Sequence, residues 1–102
     1  MTDPDQEAAN NRLAMKMLRR DISRVLFNWD PLCMRGLKNG ELEYAPYVGP
    51  IAIMVKKGAQ APEIARHLDD LLRDEWKLPR NNQACMEAAE KIFNAGAIFR
   101  GE

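Results

Sequence analysis

A long helical pattern near the N-terminus is the feature that most constrains this chain. Between Pro4 and Asn28 no glycine or proline interrupts the sequence. Its apolar residues recur at steps of three and four, which is the spacing of one helix face: Met15, Leu18, Ile22, Val25, Leu26, Trp29. Pro31 disfavours the α conformation at the residue before it. We therefore predict one long amphipathic helix that ends at Trp29-Asp30-Pro31.

Proline, glycine and asparagine divide the rest of the chain into three shorter predicted helices. Proline suits the first turn of a helix, asparagine the cap before it, and glycine the position just after its end. By these signals the helices occupy residues 46–57, with Pro50 as an alternative start, residues 62–76, and residues 82–95. Each has apolar residues at helical spacing, so each has one face to bury.

These elements predict an all-α fold, a small irregular four-helix bundle with a long loop between the first and second helices. The 102 residues fit one domain over residues 1–102. We expect residues 1–12 to form an N-terminal extension that can fray. Residues 97–102 form a tail whose apolar residues Ala97, Ile98 and Phe99 can dock on the bundle.

Composition excludes several classes of protein. Fifteen basic and fifteen acidic residues give a formal net charge of zero, so the whole chain has no strongly basic character for nucleic acid. No run approaches the about 20 apolar residues that cross a membrane, and no signal-peptide pattern is present. We expect a cytoplasmic protein without membrane contact, in which Cys33 and Cys85 are reduced and buried.

No arrangement of residues predicts catalysis or metal binding. His67 is the single histidine, and the two cysteines lack the spacing of a ligand pair. The glycine-containing segments lack the lysine-serine continuation of a phosphate-binding loop. The acidic residues of the third helix alternate with basic ones, which predicts a solvated, salt-bridged face: Asp69, Asp70, Asp74 and Glu75 beside Arg66, Arg73 and Lys77. We expect no enzyme activity, no cofactor and no metal.

The segment over residues 30–47 carries many apolar and aromatic side chains in little regular structure. One interpretation is a flap over one end of the bundle, anchored by Trp29 and the tyrosines, with Asp30 as a cap. The other is an exposed patch for a protein partner. In that case Leu37, Leu42 and Tyr44 are the anchors, and Glu41 and Glu43 form the rim.

A basic ridge on the first helix is a second candidate surface. Its residues recur every four positions: Arg12, Lys16, Arg20 and Arg24. Such a ridge can meet phosphates or an acidic protein surface, although most ridges of this kind are simply solvated. No aromatic residue is interleaved for base stacking. A nucleic-acid-binding regulator is therefore the alternative function.

One set of residues is similar to the pattern of a known family: Trp29-Asp30-Pro31-Leu32, Glu43-Tyr44, Tyr47, Gly58, Glu63-Ile64 and Leu68. Over residues 22–78 the chain resembles the YugE-like family of small, uncharacterised bacterial helical proteins. In that family a Trp-Asp-Pro-Ile/Leu turn precedes an acidic-Tyr pair, a helix and a glycine-containing break. This chain departs from the pattern in residues 33–37 and 76–78, where the family has a glycine directly after the apolar residue and a Met-Gly-Leu ending.

The resemblance implies a helical bundle in the bacterial cytoplasm and carries no established activity. Related sequences look like immunity-type proteins that protect against toxins. Together with the absence of catalytic motifs, this leads us to expect a non-enzymatic protein-binding module, immunity-like or antitoxin-like, that masks a partner protein. A homodimer is also compatible with the apolar content.

Overall fold

Four α-helices surround one apolar core. The computed structural model describes residues 3–102, and no strand occurs among them. The helices are α1 (Pro4–Trp29), α2 (Ala45–Lys56), α3 (Ala61–Asp70) and α4 (Asn82–Ala95). Shorter helical turns lie at Gly40–Tyr44 and Ala97–Arg100, which are 3₁₀, and at Leu71–Glu75, which is a π-helical turn. The prediction of an all-α fold with four helices is confirmed.

α1 begins and ends where its sequence predicts. The Asp3 carboxylate accepts a hydrogen bond from the backbone N–H of Asp5 at 3.0 Å, and Pro4 occupies the first turn. At the other end Asp30 adopts a left-handed conformation, with φ 54°. Its N–H donates to the carbonyl of Leu26 at 2.8 Å. The extension that we expected to fray is helical from Pro4 onward, and residues 1–2 lie outside the described part.

One continuous apolar core links the four helices. α1 lies against α2 and α4, and α3 packs on α4. The largest fully buried side chains come from every helix and from the 3₁₀ turn before α2: Leu18, Ile22, Leu26, Tyr44, Ile51, Ile64, Leu68 and Ile92. Burying aliphatic or aromatic side chains contributes roughly 1.5–3 kcal/mol each, so these contacts dominate the stability of the fold.

The segment between α1 and α2 is shorter and more regular than its sequence suggests. Only residues 30–39 lack helical structure, because a 3₁₀ helix at Gly40–Tyr44 runs directly into α2 at Ala45. Pro50 therefore lies inside α2, and the alternative start at Pro50 is wrong. A proline at this depth removes a single helical hydrogen bond. Burial of Val48 and Ile51 on either side offsets that loss.

The end of α3 was not foreseen. The helix changes to a π-helical turn over Leu71–Glu75, and the N–H of Trp76 donates to the carbonyl of Leu71 at 2.9 Å. The extra residue in this turn places Trp76 against the core, where it is half-buried. Side-chain periodicity does not reveal one added residue at the end of a helix, so the sequence predicted a plain α-helix.

The two cysteines differ in their burial. Cys85 is buried as expected, and burial with the nearby charge of Asp69 raises its thiol pKa to about 11. Cys33, in contrast, is exposed. Asp70 and Asp74 form the expected exposed ion pairs with Arg73.

Asp69 does not belong to that solvated face. It is only 9% exposed and lies 3.4 Å from the guanidinium of Arg80, beyond the end of α3. In the tail, Phe99 packs against the core as predicted, but Ile98 is 64% exposed.

Gly40 is required where the 3₁₀ helix passes the preceding loop. A Cβ atom at Gly40 would overlap the backbone carbonyl oxygen of Met34, which cannot rotate away as a side chain can. Gly49 of α2 faces open space, so a Cβ there meets nothing within 4 Å. The two glycines therefore have opposite roles in stability.

We expect Gly40→Ala to lower the free energy of unfolding by about 1–3 kcal/mol, as overpacking does. The matched control Gly49→Ala should raise it by about 0.5–1 kcal/mol, because glycine is unfavourable inside a helix. Urea denaturation followed by circular dichroism measures both. Equal stabilities of the two variants would show that the backbones do not approach closely at Gly40.

Candidate functional site

The carboxylate of Asp30 organises the junction between α1 and α2. Its Oδ1 accepts hydrogen bonds from the hydroxyl of Tyr44 and the N–H of Met34, both at 2.7 Å. Its Oδ2 accepts from the N–H of Arg35 at 2.8 Å. The hydroxyl of Tyr44 in turn accepts from the N–H of Leu32 at 2.9 Å. One carboxylate and one phenol thus satisfy three backbone donors of the turn.

Arg35 also belongs to this junction, because its side chain contacts the end of α1. Its guanidinium donates to the carbonyl oxygens of Phe27 and Asn28 in the last turn of α1. These carbonyls have no partner further along the helix, and a cation at a helix C-terminus is favourable. The junction therefore caps α1 through a side chain that follows it in sequence.

Both titratable groups of the junction have shifted pKa values. Partial burial acts to raise the pKa of Asp30, but the hydrogen bonds from Tyr44, Met34 and Arg35, with the charge of Arg35, outweigh it. The net pKa of Asp30 is below its ordinary value of 3.8. Burial, and then the hydrogen bond to Asp30, raise the pKa of Tyr44 well above 10. At neutral pH the pair is an ionised acceptor and a neutral donor.

An aromatic cluster packs against the inner side of this junction. The ring of Trp76 meets three other rings edge-on, with centroid distances of 6.4 Å to Trp29, 6.0 Å to Tyr44 and 5.1 Å to Tyr47. Such edge-to-face pairs contribute about 0.5–1.5 kcal/mol each beyond their buried area. The cluster connects α1, the 3₁₀ helix, α2 and the end of the π-helical turn.

Tyr44 is a core residue, and the expectation that it anchors a partner is wrong. Its side chain has no exposed surface. A tyrosine can be buried when its hydroxyl finds a partner, and Asp30 supplies one. The structure agrees instead with the interpretation of a flap anchored by Trp29 and the tyrosines. The motif residues that carry the family resemblance at Trp29, Asp30 and Tyr44 therefore hold the fold together.

The other predicted partner-binding residues lie on the surface. Leu37 and Leu42 are 60% and 61% exposed, and Glu41 and Glu43 are exposed beside them. Leu42 and Glu41 line a shallow groove of about 440 Å³ where the 3₁₀ helix meets α1. Its other lining residues are Arg20, Ser23, Arg24, Phe27 and Ala45.

The predicted basic ridge divides between two places. Arg20 and Arg24 lie in the groove beside Leu42, and Arg24 also pairs with Asp21 at 3.8 Å. Arg12 and Lys16 line a separate groove. A step of four residues advances the direction of the side chain by about 40° around the helix, so a row of this spacing winds away from any one face.

The second groove contains two cations that the sequence did not single out as site residues. Arg12 and Lys16 share it with Arg19 of α1 and Lys56 of α2. Arg19 lies three residues after Lys16, a helical spacing that could have identified it. Lys56 is brought in only by the packing of α2 on α1.

No metal centre is assembled among residues 3–102. Within them no group of three histidine, cysteine, aspartate or glutamate side chains could hold an ion. His67 is half-buried on α3 and makes no side-chain hydrogen bond there. In the same part of the chain no helix has the length and apolar character needed to cross a bilayer. Comparisons with protein-family models, with curated proteins and with solved structures gave no match.

We expect Tyr44→Phe to lower the free energy of unfolding by about 1–3 kcal/mol, because the N–H of Leu32 loses its acceptor and Asp30 loses a donor. Tyr47→Phe is the matched control, since that hydroxyl has no hydrogen bond within residues 3–102 and its loss should change stability by less than about 0.5 kcal/mol. Chemical denaturation of both variants tests this. A Tyr44→Phe variant as stable as Tyr47→Phe would contradict the role of the junction.

We also expect the Asp30 carboxylate to make stability depend on acid. Because its pKa is lowered in the folded state, its contribution is complete above 3.8 and is lost as the pH falls through the folded pKa. The stability difference between the native protein and Asp30→Asn should therefore be largest at neutral pH and shrink as the pH falls below 3.8. A difference that stays constant over this range would show that the charge of Asp30 does not stabilise the fold.

Proposed function

We propose that this chain is a non-enzymatic protein-binding module that covers the functional surface of a partner protein. One observation carries the proposal. Leu37 and Leu42 are large apolar side chains, each more than half exposed, on a segment that the Asp30 junction holds in place. Other large apolar side chains are exposed as well, among them Leu13, Ile53 and Ile98. Leu37 and Leu42 differ from them because they lie close together in sequence on one hydrogen-bonded segment, where one partner can cover both.

The surroundings of the two leucines have the character of a protein interface. Such interfaces have an apolar centre and a polar rim, and here Glu41 and Glu43 flank Leu42. The segment is held by hydrogen bonds before any partner arrives. Binding therefore requires little ordering of the backbone, which lowers its entropic cost.

The charges near the patch favour a protein over a nucleic acid as its ligand. Glu41 and Glu43 would repel phosphates. The lining of the adjoining groove includes two cations, Arg20 and Arg24, together with Glu41 and Leu42. This arrangement suits an apolar side chain of the partner that is flanked by charges of both signs.

The immunity-like part of the proposal comes from the resemblance to the YugE-like family. In this proposal the chain is a bacterial cytoplasmic protein that inhibits its partner by contact alone, without chemistry of its own. A second copy of the chain is a different occupant of the same surface. Light scattering on the purified protein separates a homodimer from a complex with another protein.

The test is capture of the partner by the tagged full chain from its source cells, with and without nuclease. We expect one protein in stoichiometric amount in both samples, and loss of that protein with the double variant Leu37→Ala, Leu42→Ala. The matched control is Ile98→Ala, because Ile98 is equally exposed but lies in the C-terminal tail. With purified partner, the double variant should raise Kd at least about tenfold, whereas Ile98→Ala should not change it.

The variants must also stay folded for this result to count. Both leucines are exposed, so the free energy of unfolding of the double variant should lie within about 1 kcal/mol of that of the native protein. Full retention of the partner by the double variant would overturn the proposal. Recovery of the tagged chain alone, or loss of the captured protein on nuclease treatment, would also count against it.

A further inference from the structure

Four cationic side chains from two helices meet in the groove between α1 and α2. We define the basic groove by Arg12, Lys16 and Arg19 of α1 and Lys56 of α2, with Asn11 and Met15 completing its lining. The groove has a volume of about 510 Å³, and no acidic residue lines it. In a chain with a net charge of zero this concentration of one sign is a local property.

The cations of the basic groove have no ion-pair partners within the described part of the chain. Some arginines elsewhere pair with carboxylates, as Arg73 does with Asp70 and Asp74, and Arg80 with Asp69. No carboxylate among residues 3–102 lies within 4.0 Å of a cationic nitrogen of Arg12, Lys16, Arg19 or Lys56. Four unpaired cations at one place repel one another, and an anion would relieve that repulsion.

We propose that the basic groove binds the phosphate backbone of a nucleic acid. Along α1 the stretch from Arg12 to Arg19 covers about 10 Å at 1.5 Å per residue. That length matches more than one phosphate, since each strand of a duplex advances about 3.4 Å per nucleotide along the axis. Lys56 supplies a cation from the facing helix, so the backbone can lie between two positive walls.

The lining indicates recognition of the backbone and not of base sequence. Arginine, lysine and asparagine side chains are the usual donors to phosphate oxygens. No aromatic residue lines the groove, so stacking on bases is absent from this site. Binding at the basic groove is therefore independent of sequence and dominated by charge.

The basic groove differs from the ridge that the spacing of α1 predicts. Arg20 and Arg24 belong to that ridge but lie beside Glu41 in the other groove. Lys56 was absent from the ridge but belongs to the basic groove. Substitutions of Lys56 and Arg20 thus separate a site made by two helices from one made by α1 alone. Neither Leu37 nor Leu42 lines the basic groove, so this proposal is independent of the protein-binding one.

The experiment is fluorescence anisotropy of labelled oligonucleotides, single-stranded and duplex, titrated with the full chain over a range of salt concentrations. If four phosphates are neutralised, log Kd should rise with log salt with a slope of about 3 for a single strand and about 4 for a duplex. Lys56→Gln and Arg19→Gln should each weaken binding to both oligonucleotides and reduce that slope by about one.

Two matched controls remove a positive charge outside the basic groove. Arg66→Gln removes an exposed cation of α3, and Arg20→Gln removes a ridge residue that lines the other groove. Neither should reduce the slope as Lys56→Gln does. The double variant Leu37→Ala, Leu42→Ala should bind oligonucleotide like the native protein, which separates this proposal from the protein-binding one.

Three results would overturn the proposal. The first is no anisotropy change with the native chain at low salt. The second is equal binding by Lys56→Gln and Arg66→Gln, which would mean that net charge alone acts. The third is competition by inorganic tripolyphosphate at the same concentration as unlabelled oligonucleotide, which would assign the groove to a small polyphosphate.

Discussion

The carboxylate of Asp30 accepts three hydrogen bonds, and the turn that connects the end of α1 to the 3₁₀ helix depends on them. Of the three, the hydrogen bond from Tyr44 joins the residues that lie farthest apart in sequence, because it connects the end of α1 to the 3₁₀ helix that precedes α2. It allows a large phenol ring to be buried completely at the edge of the core. Trp76 then packs edge-on against that ring and ties in the turn after α3.

This dependence separates the residues that hold the fold from the residues that are free for a partner. Trp29, Asp30 and Tyr44 hold the fold together through the junction and the aromatic cluster. Leu37 and Leu42 are not part of the junction and are exposed, on a segment that the junction holds in place. The basic groove lies further along α1 and owes its fourth cation to the packing of α2. The two proposed surfaces therefore have different ligands and are tested by different substitutions.

Local signals predicted the helices well and the junction poorly. The cap at Asp3, the left-handed residue before Pro31, and the cap at Asn81 are short-range effects, so they placed helix ends within a residue or two. The π-helical turn before Trp76 and the start of α2 ahead of Pro50 depend on what those residues pack against. The sequence left open whether Leu37 and Leu42 are exposed or packed, and it grouped Tyr44 with them because all three share one apolar segment.

The sequence by itself determined the helical class of this protein and the face that each helix buries, because a period of 3.6 residues and the caps are properties of neighbouring residues. Only the tertiary structure decided that Tyr44 is buried and Leu42 exposed, since the hydroxyl of Tyr44 meets a carboxylate fourteen residues earlier in the chain. It also decided that Lys56 joins Arg12, Lys16 and Arg19. Such long-range pairings depend on how the helices pack, and no local pattern encodes the distance between two side chains that meet only after folding.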